Sequence, residues 1–185
     1  MNIQEKLHSS LGNAKEYVAL AKVESSVYQK TNIEIIDYLT QKTNTPGVYV
    51  ALNKPYANIL KLLKEKNINT DMVVFIDAVT KTSGGAIEKT KNCLYIGNPE
   101  NLSDISMAMD QAVRAIPSKD KFLFFDSLNT LLLYNKPITV AKFIHFLSGK
   151  MRIWKVKGII ISLQKESNKE LLDELSQFCD VIVDI

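Results

Sequence analysis

Lys121-Phe-Leu-Phe-Phe-Asp126-Ser127-Leu128-Asn129-Thr130-Leu131-Leu132 decides how this chain is read. An unbroken apolar run, mostly phenylalanine, stops at a carboxylate and a hydroxyl. A strand with one wet face would alternate apolar and polar side chains, and this one does not, so both of its faces are buried. The same pattern recurs in Gly47-Val-Tyr-Val-Ala-Leu52, in Met72-Val-Val-Phe-Ile76 before Asp77, in Cys93-Leu-Tyr-Ile96, in Gly158-Ile-Ile-Ile161 and in Val181-Ile-Val183. Between these runs lie helical spacings. One is entered at Pro55 and carries Ile59, Leu60, Leu62 and Leu63. Another covers Leu102–Ala115 with Asn101 or Ser103 as its cap, and two more cover residues 140–147 and 171–178. Doubly buried strands separated by helices predict an α/β fold, a three-layer sandwich around a mostly parallel central sheet. Ligands in such sheets sit at the carboxyl ends of the strands. The residues to inspect are therefore Asn53, Lys54, Asp77, Asp126, Ser127, Ser162 and Gln164.

The start of the chain reads differently. Leu7, Leu11, Ala14, Val18 and Ala21 recur at spacings of four and three, which predicts helix through the first thirty residues, weakened at Gly12. Ile33, Ile35, Ile36 and Leu39 predict a second short helix, and residues 41–47 a polar loop. The expected organisation is an N-terminal helical segment over 1–45 and an α/β domain over 46–185, forming one compact domain overall. The apolar stripe is read as packing on the domain's own core, with a partner helix as the alternative.

The string Phe124-Phe125-Asp126-Ser127-Leu128-Asn129-Thr130-Leu131-Leu132 resembles the Walker B region of KaiC-like members of the RecA superfamily of P-loop ATPases. Tyr95-Ile-Gly-Asn-Pro99-Glu100-Asn101-Leu102-Ser103-Asp104-Ile105 is similar to the strand–Pro–helix entry that precedes Walker B in archaeal-type KaiC relatives. Phe178-Cys-Asp180-Val-Ile-Val-Asp184 resembles their terminal strand. The resemblance covers residues 46–185 and implies a RecA/KaiC-like sheet. It also implies that Asp126, beside Ser127, orients Mg²⁺ through water next to a nucleotide. A structural hydrogen-bonding role for Asp126 stands equally with that one. Asp77 lies near the place where these enzymes carry an acidic base, but the paired glutamates are missing; capping of the next turn is the favoured reading.

The departure from the family pattern is a degenerate Walker A. Gly-x-x-x-x-Gly-Lys-[Ser/Thr] should follow the first strand, so that glycine N–H groups wrap the phosphates. With the first strand read at 47–52, the chain offers Leu52-Asn53-Lys54-Pro55-Tyr56-Ala57, which has no glycine and loses a donor at Pro55. Lys54 can meet a phosphate, although a lone lysine after a strand is more commonly solvated. Gly84-Gly-Ala-Ile-Glu-Lys89-Thr90 only superficially resembles a phosphate loop, because no glycine precedes Lys89 and a strand follows instead of a long helix.

Bulk properties exclude several classes. A formal net charge of +3 over 185 residues, with lysines dispersed, argues against a nucleic-acid binder. Cys93 and Cys179 read as reduced thiols, His8 and His145 are far apart, and the N-terminal residues carry no apolar leader. No run approaches the roughly 18 apolar residues of a membrane span, so a cytoplasmic location is expected. The expected function is a non-hydrolysing KaiC/RecA-like domain acting as a regulatory or protein-interaction module. Its partner would be itself or an active ATPase relative. The alternative is an ATP-binding protein or weak ATPase that takes Mg-ATP on a divergent site of Asn53, Lys54 and Asp126.

Overall fold

The computed structural model describes residues 2–12, 14–164 and 169–185. Among these, strands β1 (Tyr17–Val23), β2 (Gly47–Ala51), β3 (Val73–Asp77), β4 (Cys93–Tyr95), β5 (Phe122–Asp126), β6 (Lys157–Leu163) and β7 (Val181–Asp184) form one sheet. Its order is β4-β3-β2-β5-β6-β1-β7 and every pairing is parallel. The helices are α1 (Ile3–Leu11), α2 (Tyr28–Asp37), α3 (Tyr56–Glu65), α4 (Leu102–Ala115), α5 (Leu128–Tyr134), α6 (Pro137–Trp154) and α7 (Lys169–Ser176).

Alternation along each strand splits the apolar side chains between two cores. Phe122 and Phe124 join Tyr49, Phe75 and the apolar faces of α1, α2 and α3. Leu123 and Phe125 join Val48, Val50 and the faces of α4, α5, α6 and α7. Helices thus cover both faces of the sheet, as the unbroken apolar runs require. Asn101 caps α4 by accepting from the Asp104 N–H, and Pro137 occupies the first turn of α6, where its missing donor costs nothing.

The helix expected through the first thirty residues is corrected. It stops at Leu11, where Gly12 turns the chain with a φ of 54°. Residues 17–23 are instead a strand set inside the sheet, paired with β6 on one side and β7 on the other. Leu7 and Leu11 are a true helical stripe and are buried. Val18 and Ala21 continue that spacing by coincidence, since they point into opposite cores. The first 45 residues are therefore not a helical segment; they supply an inner strand as well as α1 and α2.

The connections position a crevice. From β2 the chain leaves through α3 on one face, while from the neighbouring β5 it leaves through α5 and α6 on the other. Adjacent strands whose crossovers diverge leave an opening at their carboxyl ends. Packing beneath it is tight: a Cβ added at Gly47 would overlap the Phe122 ring. Gly47→Ala should lower the unfolding free energy by about 1–3 kcal/mol, read as a lower urea midpoint at unchanged slope.

Candidate functional site

Asp126 ends β5 and is 2% exposed, so its charge must be met by the protein rather than by water. Two phenols meet it. Tyr28, at the start of α2, donates its hydroxyl to Oδ1. Tyr49, on β2, donates to Oδ2 at 2.6 Å. The Tyr28 oxygen in turn accepts from Asn53 Nδ2 at 3.0 Å, and Asn53 Oδ1 accepts from the Thr130 hydroxyl at 2.8 Å. The Asn32 amide reaches the Tyr49 oxygen at 3.5 Å. Beside this chain, Lys54 Nζ donates to Gln29 Oε1 at 2.6 Å. The start of α2, the end of β2, the end of β5 and α5 are thus tied across the crevice. The space left among Tyr28, Asn32, Tyr49 and Asp126 is about 20 Å³, room for one water-sized particle.

Burial pushes the Asp126 carboxyl above the ordinary range. The hydroxyls of Tyr28 and Tyr49, the Asn32 amide and the charge of Lys54 pull it partly back. Both phenols are raised, first by burial and then by the Asp126 charge, so they remain proton donors.

The other expected residues fall into place around this cluster. Asn53 and Lys54 do stand at the crevice, but each is engaged with α2. Ser127 is fully buried, and its hydroxyl has no hydrogen-bond partner among the described residues; the Thr31 hydroxyl and the Asn32 carbonyl oxygen share that condition. Asp77 is buried and accepts four bonds, from the N–H groups of Tyr56, Val79 and Thr80 and from the Thr80 hydroxyl, at 2.6–2.8 Å. It caps α3 and the turn after β3. Ser162 lies near the end of β6, the strand beside β5, and Gln164 just past that strand donates its side-chain amide to the Lys22 carbonyl at 3.4 Å.

A magnesium ion does not fit this arrangement. Both Asp126 oxygens already accept buried hydroxyls, Ile33, Ile59 and Leu63 line the same space, and no group of three His, Cys, Asp or Glu gathers among the described residues. Both thiols are held in the protonated form: burial first, and then the Asp77 charge, push Cys93 up to about 12, while burial pushes Cys179 to about 11.

Residues 29–185 match a protein family described as a family of unknown function, DUF7504. The chain belongs to that family. No curated protein matches it in sequence. The fold of this DUF7504 chain is similar to the KaiC-like protein PH0186 from the hyperthermophilic archaeon Pyrococcus horikoshii OT3. That match has a TM-score of 0.62 at 13% identity, over 91% of this chain and 71% of that one. It is also similar to an uncharacterized protein, PH0321, from Pyrococcus horikoshii, solved in complex with an unknown peptide. There the TM-score is 0.73 at 11% identity, over 97% and 82% of the two chains. The seven-stranded parallel sheet is KaiC/RecA-like. Among the described residues, no helix is long and apolar enough to cross a membrane.

Tyr28, Asn32, Tyr49 and Thr130 were not legible as site residues. Tyr28 and Asn32 share one face of α2 at a spacing of four, a signal available only once the start of α2 is known.

The raised Asp126 carboxyl makes a signed prediction. Its favourable contribution is fully present below the unfolded carboxyl value of about 3.9 and is lost as pH rises through the higher folded value. Asp126→Asn keeps the shape and cannot ionise. Relative to the unaltered chain, its urea midpoint should therefore climb as pH goes from about 4 to about 7. A pH-independent difference between the two proteins would contradict this.

Proposed function

We propose that this chain is a RecA/KaiC-like domain that neither binds nor hydrolyses nucleoside triphosphates and serves as a regulatory protein-interaction module. One observation carries the reading: the carboxylate at the end of β5, which would serve the metal of an ATPase, has both oxygens taken by Tyr28 and Tyr49 of the same chain.

The strand–turn–helix formed by β1 and α2 supports it. A phosphate loop needs a strand, glycine-dependent N–H groups and a helix start. Directly after β1, Glu24-Ser-Ser-Val-Tyr28-Gln29-Lys30-Thr31 carries the spacing of Gly-x-x-x-x-Gly-Lys-[Ser/Thr], with Glu24 and Gln29 at the glycine positions. We therefore read the lost phosphate loop at 24–31 rather than at 52–57, because only there does the eight-residue spacing fall between a strand and a helix start. A glutamate replaces an anion-binding glycine. Lys30 points outward, with its side chain 72% exposed and 3.7 Å from Glu34. Tyr28, in the same loop, fills the space against Asp126.

The protein-binding half of the reading draws on the relative PH0321, whose structure holds a peptide. Phosphoryl transfer depends on the phosphate grip and the metal, and this chain has rebuilt both positions with its own side chains.

Isothermal calorimetry with Mg-ATP tests the reading. No saturable heat is expected at millimolar nucleotide. Saturable binding that disappears in an Asn53→Ala/Lys54→Ala variant of unchanged urea midpoint would overturn it in favour of a divergent ATP site.

A further inference from the structure

We infer that the outer face of α6 docks an amphipathic helix of a partner protein, one whose apolar stripe carries a carboxylate. This rests on the reading of the chain as a protein-interaction module, and it names the surface and the chemistry of the partner. The helix is apolar on two sides. Val140, Phe143, Ile144, Leu147 and Met151 are buried in the core beneath it. Ile138, Phe146 and Ile153 recur at spacings of eight and seven, about two turns each, on the opposite side. They are 55%, 46% and 76% exposed. A helix apolar on both sides is ordinarily covered on both. Among the described residues, every large apolar side chain that stands exposed, Ile87 excepted, belongs to α4, α5 or α6. The uncovered surface is thus one layer of the molecule and not a scatter of single residues.

Two residues on that face specify the occupant. Gly149 lies between Phe146 and Ile153, three residues after one and four before the other. Glycine weakens a helix interior, and a Cβ at this position would meet nothing within 4 Å. Packing inside the chain therefore gives no reason for it, whereas a glycine between two exposed apolar residues lets a second helix backbone come close. Lys142 lies between Ile138 and Phe146, four residues from each, and is exposed. It has no ion-pair partner among the described residues. An occupant that covers this stripe has to supply a carboxylate, because an ammonium buried unpaired is costly.

The neighbouring charges are already matched. Arg152 bonds Asp180 at 2.8 Å, and Asp110 is held by Arg114 at 2.6 Å with Lys150 at 4.0 Å. Asp173 and Glu174 of α7 are exposed, and neither reaches Lys142. Between α4 and α6, Met107, Asp110, Gln111, Phe146 and Lys150 line a recess of about 390 Å³ that can receive apolar side chains of the docked helix. A second copy of this chain fits less well, since α6 contains no aspartate or glutamate to offer the Lys142 of its twin.

Fluorescence anisotropy on the full chain tests this, with a labelled, stapled amphipathic helix that has one glutamate within a leucine stripe. Saturable binding is expected, about tenfold tighter than for the same helix with lysine in that place. Lys142→Glu should reverse the order of the two probes. Gly149→Leu should weaken binding about tenfold by filling the notch, while its urea midpoint holds or rises, because leucine is the better helix former. Three results would overturn the inference: no saturation, an order of probes unchanged by Lys142→Glu, or full affinity in Gly149→Leu. Two more would overturn it by reassigning the face. A concentration-dependent dimer in light scattering, abolished by Ile153→Asp, would give it to a second copy. Co-sedimentation with phosphatidylserine vesicles, lost in the same variant, would give it to a lipid surface. Calorimetry with Mg-ATP on the same preparation separates the two readings. A silent titration with failed probes removes the α6 surface alone, whereas saturable nucleotide binding removes the functional reading beneath it.

Discussion

A carboxylate at the end of a strand packed on both faces has no water to solvate it. An unpaired charge there would cost several kcal/mol. Asp126 is in that position, and the way its charge is met organises the upper edge of the sheet. Tyr49 comes from the adjacent strand, but Tyr28 must come from α2, which reaches across from β1. Holding Tyr28 on Asp126 fixes where α2 starts, and Asn53 and Thr130 then extend the same chain of donors to the β2 loop and α5. Asp77, one strand beyond β2, meets the same problem differently. Its carboxylate is turned onto the N–H groups of α3 and the following turn, which need an acceptor in any case. One buried carboxylate closes a loop on itself; the other pulls distant elements together.

That difference bears on what the crevice can do. A ligand seeking Asp126 has to displace a phenol held by a charged acceptor, an exchange costing about 1.5–3 kcal/mol for each such bond. It would gain little nearby, since Lys54 is committed to Gln29 and Lys30 faces solvent. In a nucleotide site the empty state leaves charges waiting for phosphate and metal. Here, in the unliganded state, the carboxylate oxygens are already met by two phenols of the same chain.

What could be read from the residues followed the physics of each segment. The run Phe122-Leu-Phe-Phe125 has no helical period and no polar break, so β5 was legible and Asp126 with it. Asn101 announced α4, and the capping role of Asp77 followed from its place at the end of β3. β1 was not legible, because Val18-Ala-Leu-Ala-Lys22 is built mainly from good helix formers and prolongs the spacing of Leu7 and Leu11. Its strand character comes from β6 and β7, more than a hundred residues away, which no local pattern reports. That one misreading hid the strand–turn–helix of β1 and α2. The phenols were hidden for a related reason: they meet Asp126 across 98 and 77 residues of chain.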